Sequence, residues 1–268
     1  MNERTLATEH IMGTAVVIEV GGGVPRSGAT SEAVSEAVRH LCRVESRFSP
    51  FLVDSEIVRI RQGHLPLRDA HRDVQDVVAD CDILRIRTQR AFDHLSGGLD
   101  PTGYVKGWAV EGAARHLEHA GIDDFMIWAG GDILVRRPRT ADRGWTVGIR
   151  HPANEGRSID AVELYSGAVA TSGCYERGEH IRKSDTVTSP MSASVIGPDL
   201  GVADALATAV LSAGLENIGW LARFPDYRLI ALGHHDKIYR THPGDEFGPS
   251  LTTGRSQLAA CSERATSR

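Results

Sequence analysis

The apolar residues of this chain change their spacing near residue 121, and no other feature of the sequence restricts its fold as much. Before that point, three stretches repeat at intervals of three and four residues. The first, over about 30–48, uses Val34, Val38, Leu41, Val44 and Phe48, with Thr30 or Ser31 as its cap. Next come Val74, Val77, Val78, Cys81, Leu84 and Thr88. The third runs over about 105–120 through Trp108, Ala109, Ala113 and Leu117, and Gly121 is placed to stop it. Each pattern lays one apolar stripe along a helix. After residue 121, FMIWA, DILVR, WTVGI, AVELY, SASVI and YRLIAL read as short strands parted by Gly, Pro, Asp and Asn turns. Helices over 204–213 and near 216–224 interrupt them, and an earlier β-branched run, Met12 to Val20, reads as a buried strand. Consecutive strands without a helix between each pair cannot form a doubly wound parallel sheet, because parallel neighbours need a crossover. The expected class is therefore α+β, with an antiparallel β-sheet core packed with helices.

With 268 residues, 41% of them hydrophobic, the chain can bury a large core without disulfides or a structural metal. Its net charge of -5, with the basic residues dispersed, leaves no electrostatic footprint for nucleic acid. Cys42, Cys81, Cys174 and Cys261 stand far apart and form no metal-ligand spacing, which fits a reduced compartment. The start, MNERTLATEH, lacks the basic and apolar regions of a signal peptide, and no long apolar run follows. The expectation is a cytoplasmic protein without membrane insertion. The polar stretch over 241–268, rich in Ser, Thr, Gly and Arg, is expected to be a loosely ordered tail.

Four clusters carry chemistry. GGLDPTGYVKGWAVEGA (Gly97 to Ala113) sets an aspartate, a glycine turn and Lys106 just before a helix, where backbone N–H groups and an ammonium can receive a phosphate. The same segment also reads as a capped helix with a solvated lysine. In ADALATAV, Asp204 and Thr208 are four residues apart and share one helix face, a pairing of hard oxygens suited to Mg²⁺. Alternatively, Asp204 caps that helix. ATSGCYERGEHI holds His180, whose imidazole can act as a base near neutral pH, while Cys174 has no partner that would make it a nucleophile. WAGGDI, between two strands, reads as a tight turn or bulge.

Taken together and in order, these clusters resemble the ApbE-type FAD:protein FMN transferases. The likeness runs from MGT at Met12 through RFSPFLVDSEI, AFD, LDPTGYVKGWAVEGAA, AGGDI, WTVGIRHP and ATSGCYERGEHI to ADALATAVLSAG. It implies one ApbE-like (T-fold-like) domain over 1–240 that binds FAD as a substrate, its pyrophosphate shared with Mg²⁺. It also implies metal ligation by Asp204, Thr208 and the backbone carbonyl of Gly103. Met12, Phe51, Ala91, Phe92, Asp93, Asp100 and Lys106 match positions lining the FAD site, Lys106 also takes a catalytic role, and His180 matches the catalytic base or a flavin-site contact. The implied reaction moves the FMN half of FAD to a Thr or Ser hydroxyl of an acceptor protein and releases AMP. Three features depart from the pattern: HIRKSDTVTSP lacks the Asp-Pro and Thr-Gly that usually follow HI, Phe51 replaces a common tyrosine, and Trp128 replaces an asparagine. Two other readings share the motifs, an FAD pyrophosphatase that yields FMN and AMP, and a flavin-binding protein without turnover.

Overall fold

The computed structural model describes residues 5–21, 28–173, 190–241 and 252–254. It opens with a hairpin, β1 (Thr5–Ile11) and β2 (Thr14–Val20), followed by four helices, α1 (Gly28–Phe48), α2 (Glu56–Arg61), α3 (Arg72–Arg87) and α4 (Thr102–His119). The strands β3 (Phe125–Ala129), β4 (Asp132–Arg136), β5 (Trp145–His151), β6 (Asn154–Leu164), β7 (Ser166–Gly173) and β8 (Ser192–Gly197) come next. A fifth helix, α5 (Leu200–Ala213), precedes β9 (Arg228–Leu232), β10 (Ile238–Arg240) and β11 (Thr252–Gly254). Nine strands form one sheet in the order β1-β2-β3-β4-β7-β8-β9-β10-β11, and every neighbouring pair is antiparallel. The expected α+β class with an antiparallel sheet is what the chain adopts.

Strand alternation sorts the side chains into two cores. Val16, Ile18, Val20, Ile127 and Leu134 join the helices' Leu41, Val44, Phe48, Val110, Leu117 and Leu206 in the larger one. Val135, Val169, Ile196 and Ile230, from the opposite face of the sheet, meet Trp145, Val147, Ile149 and Ile159 of the separate β5–β6 hairpin. Helices thus cover one face and a hairpin the other. The central strands are buried on both sides, which is why DILVR and RLIAL read as nearly continuous apolar runs.

The structure corrects four expectations. Met12 does not begin a strand: with Gly13 it forms the turn between β1 and β2, at φ values of 55° and 71°, as a two-residue hairpin of this hand requires. The helix expected at 204 begins at Leu200, and Asp199, not Asp204, caps it by accepting the Val202 N–H at 2.8 Å. The segment near 216–224 consists of two 3-10 turns, Leu215–Asn217 and Gly219–Arg223. Strand β1 and the short α2 were not expected at all. Gly121 does follow α4 with a φ of 76°, and Gly130–Gly131 makes the tight turn between β3 and β4. Within 241–268, Thr252–Gly254 pairs with β10, and the stretches 242–251 and 255–268 lie outside the described residues. Among the described residues no helix is long and apolar enough to cross a membrane.

Candidate functional site

A cleft of about 930 Å³ opens where the ends of β2 and β4 meet α1, α4 and α5. Two hairpin turns form one edge. Met12 and Gly13 contribute the first, and the Met12 N–H is held at 3.0 Å by Glu45 of α1. Gly130 and Gly131 contribute the second, and they pack so closely on the first that a Cβ at Gly130 would lie 2.9 Å from Thr14 Oγ1.

The opposite wall is the segment after α3. Thr88 caps that helix and its hydroxyl accepts the Phe92 N–H at 3.1 Å, which fixes Ala91, Phe92 and Asp93 along the cleft. Burial pushes the Asp93 carboxyl up, but the Leu95 N–H together with Arg85, at 2.8 Å, and Arg90 outweigh it and hold it below the ordinary carboxylate range. Beside it His94 is buried, and its lowered pKa follows first from that burial. Phe51 lies on the rim, the residue 92% exposed.

The floor is the start of α4. Asp100 lines the cleft and accepts the Thr102 N–H at 3.0 Å, so it also steadies the first turn. Gly103 sits where a Cβ would come within 3.2 Å of Thr208 Oγ1 and of Phe92, so its bare backbone can press against that hydroxyl. One turn further, Lys106 is not solvated as a simple capped helix would leave it. Its ammonium is 2.9 Å from Asp132 and its side chain is only 22% exposed. Thr208 lines the cleft from α5 and exchanges a 3.3 Å hydrogen bond with Ser172 of β7. Asp204 stands one turn away on the same helix, 1% exposed, behind the open surface.

The cleft thus collects every site residue expected from the sequence except Asp204, which lies behind its wall, and His180, which with Cys174 is outside the described residues. Sequence reasoning missed Glu45, His94, Ser172 and the partnership of Asp132. Only Asp132 had left a signal, in GGD. Among the described residues no cluster of three or more His, Cys, Asp or Glu side chains is arranged for a metal. A carboxylate, a hydroxyl and a backbone carbonyl on two abutting helices suit Mg²⁺, which takes few protein ligands and completes its shell with water and phosphate oxygens.

Fold and cleft define an α+β protein with an open cleft of small-molecule size, charged on its floor and with an aromatic residue at its mouth. The model of the ApbE family matches residues 95–231, just over half of the chain, and the chain belongs to that family. It is 26% identical over 167 residues to an FAD:protein FMN transferase of Vibrio cholerae, a match covering 58% of this chain and 50% of that protein. To one of Rhodobacter capsulatus it is 37% identical over 131 residues, covering 44% of this chain and 25% of the relative. The matches therefore span half the length of these relatives or less. In fold, the crystal structure of an ApbE protein from Thermotoga maritima superposes with a TM-score of 0.78 at 19% identity, covering 92% of this chain and 100% of that one.

Proposed function

We propose that this chain is an Mg²⁺-dependent FAD:protein FMN transferase, acting on a Thr or Ser hydroxyl of an acceptor protein. One observation carries the proposal: a single cleft gathers Met12, Phe51, the 91–93 wall, Asp100, Gly103, Lys106 and Thr208, which lie far apart in sequence and have no common structural task. Asp204, Thr208 and the Gly103 carbonyl would hold Mg²⁺, which when bound neutralises charge on phosphate oxygens. Phe51 offers a face for a ring of the dinucleotide, and the Lys106 ammonium receives its pyrophosphate. The acceptor oxygen forms a bond to the FMN-side phosphorus as the bond to the AMP oxygen breaks. His180 takes the hydroxyl proton, and AMP leaves carrying the electron pair. Little covalent work falls to the protein, so positioning and charge do most of the catalysis.

The test is to incubate the purified protein with FAD and Mg²⁺, with and without an acceptor domain, following AMP release and acceptor mass. Transfer predicts a mass gain equal to FMN. AMP with free FMN and no mass gain would mean hydrolysis, and FAD binding without AMP would leave a flavin-binding protein. Replacing Asp204 with Ala should abolish the Mg²⁺-dependent turnover while the protein stays folded; full activity would remove that metal site.

A further inference from the structure

We infer that Asp132 is a positioning residue of this reaction, a buried carboxylate that holds the Lys106 ammonium toward the phosphates of the bound dinucleotide. This rests on the flavin-transferase reading and adds a part to that site. Asp132 is 0% exposed at the first position of β4, directly after the Gly130–Gly131 turn that lines the cleft. Burying a carboxylate is costly unless it is paired, and here the two oxygens divide the work. Its Oδ2 lies 2.9 Å from Lys106 Nζ, and Oδ1 accepts the Thr171 N–H at 3.2 Å. Thr171 is itself tied across the sheet by a 2.8 Å hydrogen bond between its hydroxyl and Ser194. The carboxylate is therefore fixed by two neighbouring strands, whereas the lysine it holds has a flexible four-carbon stem.

A packing role alone does not account for such a pair. An apolar pair of similar volume would join α4 to the sheet at no greater cost. What an ion pair adds is a cation of set position, and its cationic partner lines the cleft that holds Gly103 and Thr208. A lysine left to its rotamers would meet phosphate oxygens only part of the time, and misplacement on the scale of an ångström is costly in catalysis.

The experiment uses the full chain with FAD and Mg²⁺, reading AMP release alongside melting temperature. Asp132→Asn keeps the shape and the bond from Thr171 but removes the charge, and it should lower kcat/KM by about 10–100-fold, the range seen when supporting partners of site residues are removed. Lys106→Ala combined with Asp132→Asn should be no worse than Lys106→Ala alone. Added ethylammonium should restore part of the activity to Lys106→Ala and none to the double variant. Independent, multiplicative losses, or equal amine rescue in both backgrounds, would overturn the inference, as would an Asp132→Asn variant that melts lower yet keeps wild-type kcat/KM. Should that variant not fold, Asp132→Glu, which keeps the charge but moves it, is expected to show the same loss at a wild-type melting temperature. A wild-type protein that neither binds FAD nor releases AMP would instead sink the transferase reading itself.

Discussion

At the scale of single residues, the cleft contains side chains whose placement does nothing for the isolated fold. Phe51 is the clearest, since the residue is 92% exposed and Leu52 and Val53 beside it are also exposed. Phe51→Ala should therefore change stability by no more than about 0.5 kcal/mol. If the ring stacks on a flavin or adenine, the same change should weaken FAD binding by about 1–3 kcal/mol, the worth of one aromatic–base stack. Titrating flavin fluorescence against both proteins measures the difference, and equal affinities would exclude Phe51 from the ligand contacts. Gly103 works the other way, by what it lacks. A methyl group there would stand 3.2 Å from both Thr208 Oγ1 and Phe92, so Gly103→Ala should fold but shift the Mg²⁺ concentration for half-maximal AMP release upward. An unchanged midpoint would separate the Gly103–Thr208 contact from metal binding.

Between elements, the crossing of α4 and α5 sets the site, because Gly103 and Lys106 ride on one helix and Asp204 and Thr208 on the other. The two touch backbone to backbone at Gly107, where a Cβ would lie 2.5 Å from the Leu200 carbonyl and 2.6 Å from the Gly201 nitrogen. Backbone cannot rotate aside as a side chain does. Gly107→Ala should cost about 1–3 kcal/mol in urea unfolding and, by prising the helices apart, reduce AMP release as well. Lost stability with full activity would show that the site tolerates a wider crossing. This crossing is also where the sequence was hardest to read. The three long helices and most strands were legible because their apolar periods run for several turns or pleats. Helix α2, with six residues, is too short to carry a period, and β1 (TLATEHI) mixes polar residues into an edge strand. The first turn of α5, Leu-Gly-Val-Ala, looks like loop until Asp199 is seen to cap it, with Glu111 of α4 also accepting the Leu200 N–H at 2.9 Å. The 3-10 turns after α5 share their three-residue spacing with an α-helix and were mistaken for one. The spacing of Asp204 and Thr208 and the place of Lys106 before a helix made them candidates, and the order of the motifs chose between that reading and simple capping. The pairing of Asp132 with Lys106 depends on how the sheet meets α4, which no local pattern encodes.

For the molecule as a whole, the helical layer predicts a particular loss of stability in acid. His40 of α1 packs its ring over Gly112 of α4, so closely that a Cβ on that glycine would lie 2.1 Å from Nε2, and Trp108 and His116 stand beside it. Burial, then the charges of His116, Arg43 and Arg115, lower the His40 pKa from 6.5 to about 4 against the weaker opposing pull of Asp73. Between those two values the unfolded chain binds a proton that the folded one refuses, so the stability His40 contributes is complete above pH 6.5 and is lost as pH falls toward 4. Because the ring is only partly buried, solvent screening brings the loss below the roughly 1.4 kcal/mol per pH unit of the full shift, to about 1–2 kcal/mol, still a real share of the margin of an ordinary domain. The buried His94 adds a loss of the same sign. Asp93 and Asp236, held below the ordinary carboxylate range of 3.8, keep their contribution until more acid conditions. Glu111 has the opposite sign. Burial raises its pKa above 4.5, so its protonation at low pH favours the folded state and offsets part of the decline. Urea unfolding of the wild type and of His40→Gln at half-unit steps from pH 7.5 to 3.5 would isolate the first effect, since the glutamine carries no titrating group. The two curves should differ most in slope between pH 6.5 and 4 and run parallel below it. Parallel curves throughout would mean that the fold accepts a charged ring at this helix contact, and the acid limit of the protein would then rest on His94 and its paired carboxylates.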